Sequence, residues 1–218
     1  MQNTPAKSQS TRERLLDAAK REFGDHGFSD ASLRVITRRA ASNLAAVNYH
    51  FGSKEQLYRE TLLASIRRVN DERKTLLAQA EQLAGDQPIP LRAIVDTFVR
   101  PLLRRTPDKA LGGPYLLRLV SRDLADPKPF MTAEMTKEFG PLIKSYARAL
   151  SKTLPGMPLA EIHWGIEFMI GAMLYSAMHQ RDMDEMARDP LTSGDTEECI
   201  RRLIDFCVAG FGANYTAR

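Results

Sequence analysis

The sequence predicts an all-α protein in two parts, a small N-terminal three-helix unit and a larger helical bundle. Three observations carry this. Apolar residues recur at helical spacing along nearly the whole chain, with no convincing run of strand alternation. Capping pairs stand just before the apolar stripes, and proline- or glycine-containing breaks separate them. The charge is also divided: residues 1–54 hold nine Lys/Arg against five Asp/Glu, so the whole net charge of +4 sits at the front and the remainder is balanced.

The elements follow in order. Ser10 and Glu13 form a capping box before a stripe of Leu15, Leu16, Ala19 and Phe23, and Gly27 is expected to stop that helix. A second helix, capped by Ser32, buries Leu33, Ile36 and Ala40; a third, very short, runs from Leu44 to about His50 with Asn43 as its cap. Ser53 and Gln56 form another expected capping box, opening a long helix whose stripe of Tyr58, Leu62, Ile66, Val69, Leu76 and Ala80 lasts until Gly85. Beyond GDQPIP come Leu91 to Leu102, with Pro101 expected to kink the helix, and then Tyr115 to Val120. Another long helix spans Met131 to Leu150. The next, from Leu159 to about His179, is apolar nearly all round from Trp164 to Met178, and the last runs from Glu197 to about Gly212.

Composition sets bounds. A chain of 218 residues with 43% hydrophobic content can bury a substantial core. Residues 1–9 are polar, expected to be disordered, and lack the apolar stretch of a signal peptide; the longest uncharged apolar run, Phe168 to Met178, is about half of the roughly 20 residues a membrane span needs. The reading is a cytoplasmic protein with no membrane partner. Cys199 and Cys207 fall within one helical pattern and are expected to be buried thiols.

The short third helix carries the functional signal. A helix at 32–40, a turn and a helix at 44–50 make a helix-turn-helix, whose second helix fits the major groove of B-DNA. Ala45 and Ala46 keep its front slim, Asn48 is placed to read a base edge, and Tyr49, His50 and Lys54 offer polar groups to phosphates. Val47 and Phe51 should point into the core.

From Thr11 to Leu57 the chain resembles the DNA-binding domain of the TetR family of bacterial transcriptional repressors, through FGDHGF at 23–28, SLRVITRRA at 32–40 and VNYHFGSKEQL at 47–57. The resemblance implies a helix-turn-helix DNA-binding domain over residues 1–53 and a helical effector-binding and dimerisation domain over 54–218. It also implies phosphate contacts by Ser32, Tyr49, His50 and Lys54, with Arg34, Asn43, Ala45, Ala46 and Asn48 near bases. Three departures stand out. Ala41 occupies the place of the family's turn glycine, Ser42 that of an apolar residue, and Asn48 that of a frequent tyrosine. An alanine forced to positive φ there costs about 1 kcal/mol relative to glycine. Within the family, NLAAVNYHFGSK and the segment 154–178 resemble the PsrA-type branch, whose members respond to fatty acids or their derivatives.

The expected function is a ligand-responsive repressor, acting as a homodimer on a palindromic operator in double-stranded DNA and released by a small hydrophobic effector. Phe98, Tyr115, Phe139, Phe168, Met169, Met173 and Tyr175, with Met131 and Met135, are expected to line an adaptable apolar cavity, and Arg118 and Arg122 to hold an acidic head group. Trp164, Phe168, Gly171, Tyr175, Ile204, Val208 and Phe211 are the expected dimer contacts. An activator, and a hydrophobe-binding sensor or carrier that has lost DNA binding, remain alternative readings. Enzymes are disfavoured, since no nucleophile elbow, zinc-protease, Walker or complete dinucleotide motif occurs. No cofactor or metal is expected; His163 with Glu167, and His179 near Asp182, Asp184 and Glu185, read as polar pairs.

Overall fold

The computed structural model describes residues 9–107, 113–125, 132–187 and 195–216. These residues form nine helices: α1 (Thr11–Asp30), α2 (Leu33–Arg39), α3 (Leu44–Phe51), α4 (Lys54–Ala84), α5 (Leu91–Leu103), α6 (Gly113–Ala125), α7 (Thr132–Thr153), α8 (Leu159–Ala187) and α9 (Thr196–Thr216). No strand occurs among them. Residues 1–8, Met131 and the side chains of Met135, His179, Asp182, Asp184 and Glu185 lie outside what is described.

The helix starts are chemically explained. Ser10 and Glu13 form the reciprocal capping box at α1. Asn43 Oδ1 accepts from the Ala46 N–H at 2.9 Å, and Ser53 Oγ accepts from the Gln56 N–H at 3.0 Å. The Gln56 side chain does not complete a box; its Nε2 donates toward Glu60 Oε1 at 3.4 Å. Ser32 departs from expectation. It stands at the N-cap of α2, but its hydroxyl makes no cap bond, and its own N–H donates to Glu22 Oε1 at 3.1 Å. Within α1, Gly27 leaves the helical path (φ 76°, ψ −179°), and the chain resumes helical structure as far as Asp30.

Packing arranges these helices around α4. Its 31 residues span about 46 Å at roughly 1.5 Å per residue, enough to run from the α1–α3 unit into the bundle. At the near end, Phe23, Phe28 and Tyr58 meet in edge contacts with ring centroids 5.1 and 5.5 Å apart across α1 and α4. Farther along, α4 meets α5, α6 and α7, while α5 packs on α9 and α7 on α8. The buried stripe of α4 differs from the expected one: Asn70, Arg73 and Leu77 are buried, and Leu76 is half-buried. Period 3.6 carries the stripe from Ile66 straight through those two polar positions. Pro101 lies inside α5, two residues before its end. Cys207 is buried, and burial pushes its thiol up to about 11; Cys199 is only half-buried.

Candidate nucleic-acid interface and effector cavity

The turn between α2 and α3 forms without glycine. Ala41 takes φ 46°, its N–H donates to the Arg38 carbonyl at 3.2 Å, and the Ser42 N–H donates to the Thr37 carbonyl at 2.9 Å. This 6→1 and 5→2 pairing is a Schellman ending of α2. Arg14 fastens the turn from below through Nε to the Ala40 carbonyl at 3.0 Å. Val47 and Phe51 are buried, so the short α3 is locked by its inner face. Its outer face stays open: Leu44 is half-exposed, Ala45 and Asn48 are exposed, Ala46 is half-buried, and Tyr49 is 85% exposed.

Around this face lie the other candidate residues. Asn43 is exposed and spends its side-chain oxygen on the cap, leaving its amide N–H groups outward. Arg34 and Arg38 are exposed on α2. Arg39 instead folds back toward Glu22, Nη1 to Oε2 3.3 Å, neutralising a buried carboxylate. His50 is half-buried between the Tyr49 and Phe51 rings. Lys54 Nζ sits 5.1 Å from the Phe28 ring centroid and donates to the Ser29 carbonyl at 3.0 Å. An ammonium has three donors, so this tether orients Lys54 with two left over. One surface thus gathers a slim helix, amide and hydroxyl groups and a fixed cation.

A cavity of about 330 Å³ opens within the helical body, among α4, α5, α6, α7 and α8. Phe98, Phe139 and Met173 line it, as do Leu116, Val120 and Leu174. The other expected residues, Met131 and Met135 aside, lie elsewhere. Met169 is buried in the core, and Phe168 and Tyr175 project outward, 64% and 57% exposed. Tyr115, Arg118 and Arg122 face α1, because α6 turns one face to the cavity and the opposite face to that helix. Arg118 pairs with Asp25 at 2.7 Å, Arg122 donates to the Phe23 and Asp25 carbonyl oxygens at 3.4 and 3.1 Å, and Tyr115 packs at Gly24. The arginines read as head-group ligands therefore join α6 to the end of α1.

Sequence reasoning passed over Arg73 and Asn70, which form part of the cavity wall. Arg73 is 3% exposed and Asn70 fully buried. Burial lowers the Arg73 pKa to about 10, which leaves it charged at neutral pH. The one available signal was their phase: both fall on the apolar stripe of α4 rather than on its solvent side.

On α8, Trp164, Phe168, Gly171 and Tyr175 share an exposed apolar face, with Trp164 and Phe168 rings stacked 5.7 Å apart. Phe206 on α9, not foreseen, is 66% exposed. Ile204 and Phe211, expected beside them, are instead buried within the protomer; Phe211 lies against Gly165, where any Cβ would meet its ring at 2.3 Å. Val208 is half-buried against the same core. Among the described residues no three His, Cys, Asp or Glu gather as a metal site, and no helix is long and apolar enough to cross a membrane.

A three-helix head with an exposed second helix of a helix-turn-helix, carried on a helical body by one long rod, defines a helix-turn-helix transcriptional regulator. Residues 15–61 match the family described as bacterial regulatory proteins, tetR family, and residues 96–210 match the tetracyclin repressor-like C-terminal domain. The chain belongs to the TetR family of transcriptional regulators, whose members are DNA-binding proteins and not enzymes. It is 33% identical over 100 residues to the HTH-type transcriptional dual regulator CecR of Shigella flexneri, covering 44% of each chain. It is 32% identical over 85 residues to the HTH-type transcriptional regulator UidR of Escherichia coli strain K12, covering 39% of this chain and 40% of that one. These matches thus span less than half the length of the curated relatives. Over nearly full length the fold is similar to a TetR-like transcriptional regulator from Rhodococcus sp. RHA1 (TM-score 0.59, 16% identity, 96% and 99% covered). It is also similar to the fatty acid degradation regulator FadR from Bacillus halodurans (TM-score 0.63, 13% identity, 90% and 97% covered).

Proposed function

We propose that the protein is a homodimeric repressor, held on a palindromic operator by residues 1–53 and released when a small hydrophobic effector occupies the cavity in residues 54–218. The observation that carries this reading is the two-sided α6. Leu116 and Val120 border the cavity, while Arg118 and Arg122 on the opposite face grip the end of α1. An occupant that displaces α6 moves the head on which the α3 face is mounted. The effector shifts the equilibrium only by its differential affinity for the two arrangements. The apolar wall suits a fatty acid or acyl derivative, in keeping with the process regulated by the Bacillus halodurans neighbour.

On the operator, Ser32, Tyr49, His50 and Lys54 would contact phosphates, and Arg34, Asn43, Ala45, Ala46 and Asn48 would face bases. Two such heads would address half-sites one helical turn apart, roughly 34 to 36 Å. The work would take place in the cytoplasm, where the chromosome is. A carrier that has lost DNA binding is disfavoured, because the departure that suggested it, Ala41, leaves the Schellman turn intact. Activation is favoured only by the dual regulation named for the Shigella flexneri relative.

The test is fluorescence anisotropy with a palindromic duplex selected from genomic fragments, against a scrambled duplex, across a salt series. Lys54→Ala should weaken both duplexes alike and flatten the salt slope by about one. Asn48→Ala should weaken the operator about 5- to 150-fold, the equivalent of ~1–3 kcal/mol, with little change on scrambled DNA. Equal losses on the two duplexes would remove Asn48 from base reading.

A further inference from the structure

The wall of the cavity holds a buried charge with no carboxylate in contact with it. Arg73 lies 3% exposed on α4, and among the described residues no carboxylate forms an ion pair with it. Its neighbour Glu72 is committed to Arg105 at 2.5 Å. The guanidinium is held by neutral groups alone: Nε donates to the Phe98 carbonyl at 2.8 Å, Nη1 to Asn70 Oδ1 at 3.1 Å, Nη2 to Met173 Sδ at 3.4 Å, and the Phe98 ring centroid lies 4.0 Å away. Three of its five N–H groups are thus engaged, one of them with a weak sulfur acceptor.

Asn70 repeats the pattern. Accepting from Arg73 fixes which end of its amide is oxygen, and the other end, Nδ2, is buried with no hydrogen-bond partner. A buried charge with no carboxylate in contact and a buried donor without an acceptor are both costly. Two such defects on adjacent turns of one helix, at the wall of one apolar cavity, share a single remedy. An anionic oxygen pair would accept from the free Arg73 N–H groups and from Asn70 Nδ2 together.

We infer that the effector is an amphiphile whose carboxylate seats on Arg73 and Asn70, with its apolar part toward Leu116, Val120 and Phe139. This rests on the cavity being the effector site, as proposed above. Glu167 also borders the cavity from the exposed side of α8, so the cation lies inside and the acid at the outside. That order favours an anion-first orientation. The cavity volume, at the low end of the range for small-molecule sites, favours a medium-length chain.

The measurement is isothermal titration calorimetry of the full chain with three probes of equal chain length: decanoate, decanol and decylamine. Decanoate should bind at least tenfold more tightly than decanol, and decylamine most weakly. Arg73→Met, which keeps the stem and removes the charge, should erase the preference for decanoate over decanol; Asn70→Leu should reduce it in part. Equal binding of decanoate and decanol to the unaltered protein would overturn the head-group assignment, and that comparison needs no variant to fold. Tighter binding of decylamine would overturn it too and give the polar contact to Glu167. Val120→Trp, which fills the cavity, separates the two levels. If it abolishes binding of all three probes while decanoate shows no advantage, the cavity stands and the carboxylate falls; if it changes no probe's binding, both fall.

Discussion

Ala41 holds its backbone at φ 46°, where a Cβ meets its own carbonyl environment unfavourably and glycine does not. The turn is nonetheless closed by both Schellman bonds, so the strain is confined to one residue. Ala41→Gly is expected to stabilise the protein by about 0.5–1 kcal/mol, the relief of left-handed strain less the added freedom of the unfolded chain. For a chain of this length that is a rise in Tm of roughly 1–4 °C by calorimetry; a fall would mean that the alanine makes a contact worth more than its strain. The substituted glycine was visible in the sequence, and so were the caps at Ser10, Asn43 and Ser53, because each depends on residues within three positions. Arg73 was not visible as a functional residue. A polar residue in a helix is ordinarily solvated, and only the packing of α5 and α7 on α4, with Met173 of α8 against the guanidinium, buries this one.

At the scale of the element, the proposed response to a ligand would pass through α6 to the head. Arg118 and Arg122 stand one turn apart, a spacing that the sequence displayed, but which helix they would meet depends on how α6 crosses α1. Gly27 belongs to the same joint. With φ 76° it tolerates no side chain without strain, and a Cβ there would stand 3.1 Å from Arg122 Nη1. Gly27→Ala should therefore cost about 1–2 kcal/mol from the backbone alone, seen as a Tm lower by roughly 2–8 °C. Arg122→Ala removes two bonds to carbonyl oxygens at the end of α1 without touching the cavity. It should reduce the factor by which effector weakens operator binding, typically 5- to 150-fold in coupled systems, while ligand affinity in the absence of DNA changes little. An unchanged coupling factor, measured by anisotropy with and without effector, would take α6 out of the transmission path.

For the whole molecule, the question is what covers the apolar face of α8. The sequence showed a helix apolar nearly all round and therefore a need for two covers, but its pattern set Phe168 and Tyr175 in both. The structure makes the division: Ile166, Met169 and Met173 pack inside the protomer, as do Ile204 and Phe211 of α9, and Trp164, Phe168, Gly171 and Tyr175 face outward with Phe206 of α9 also exposed. Beyond its chain neighbours and the backbone of its own helix, Gly171 has no heavy atom within 4 Å of where its Cβ would be, so this face is smooth enough for a close approach of another helix. A second copy is the occupant that the DNA reading requires, since a lone head of eight-residue α3 offers too little surface for a specific operator. Replacing both Trp164 and Phe168 with lysine puts two charges on each partner at the centre of the face and should yield a monomer by light scattering. Because the second head then no longer binds from an already tethered position, operator affinity should fall by roughly 10²- to 10⁴-fold, whereas binding of one head to a half-site should be unchanged. A variant that remained dimeric would move the interface elsewhere, and a monomer with undiminished operator affinity would break the link between pairing and recognition.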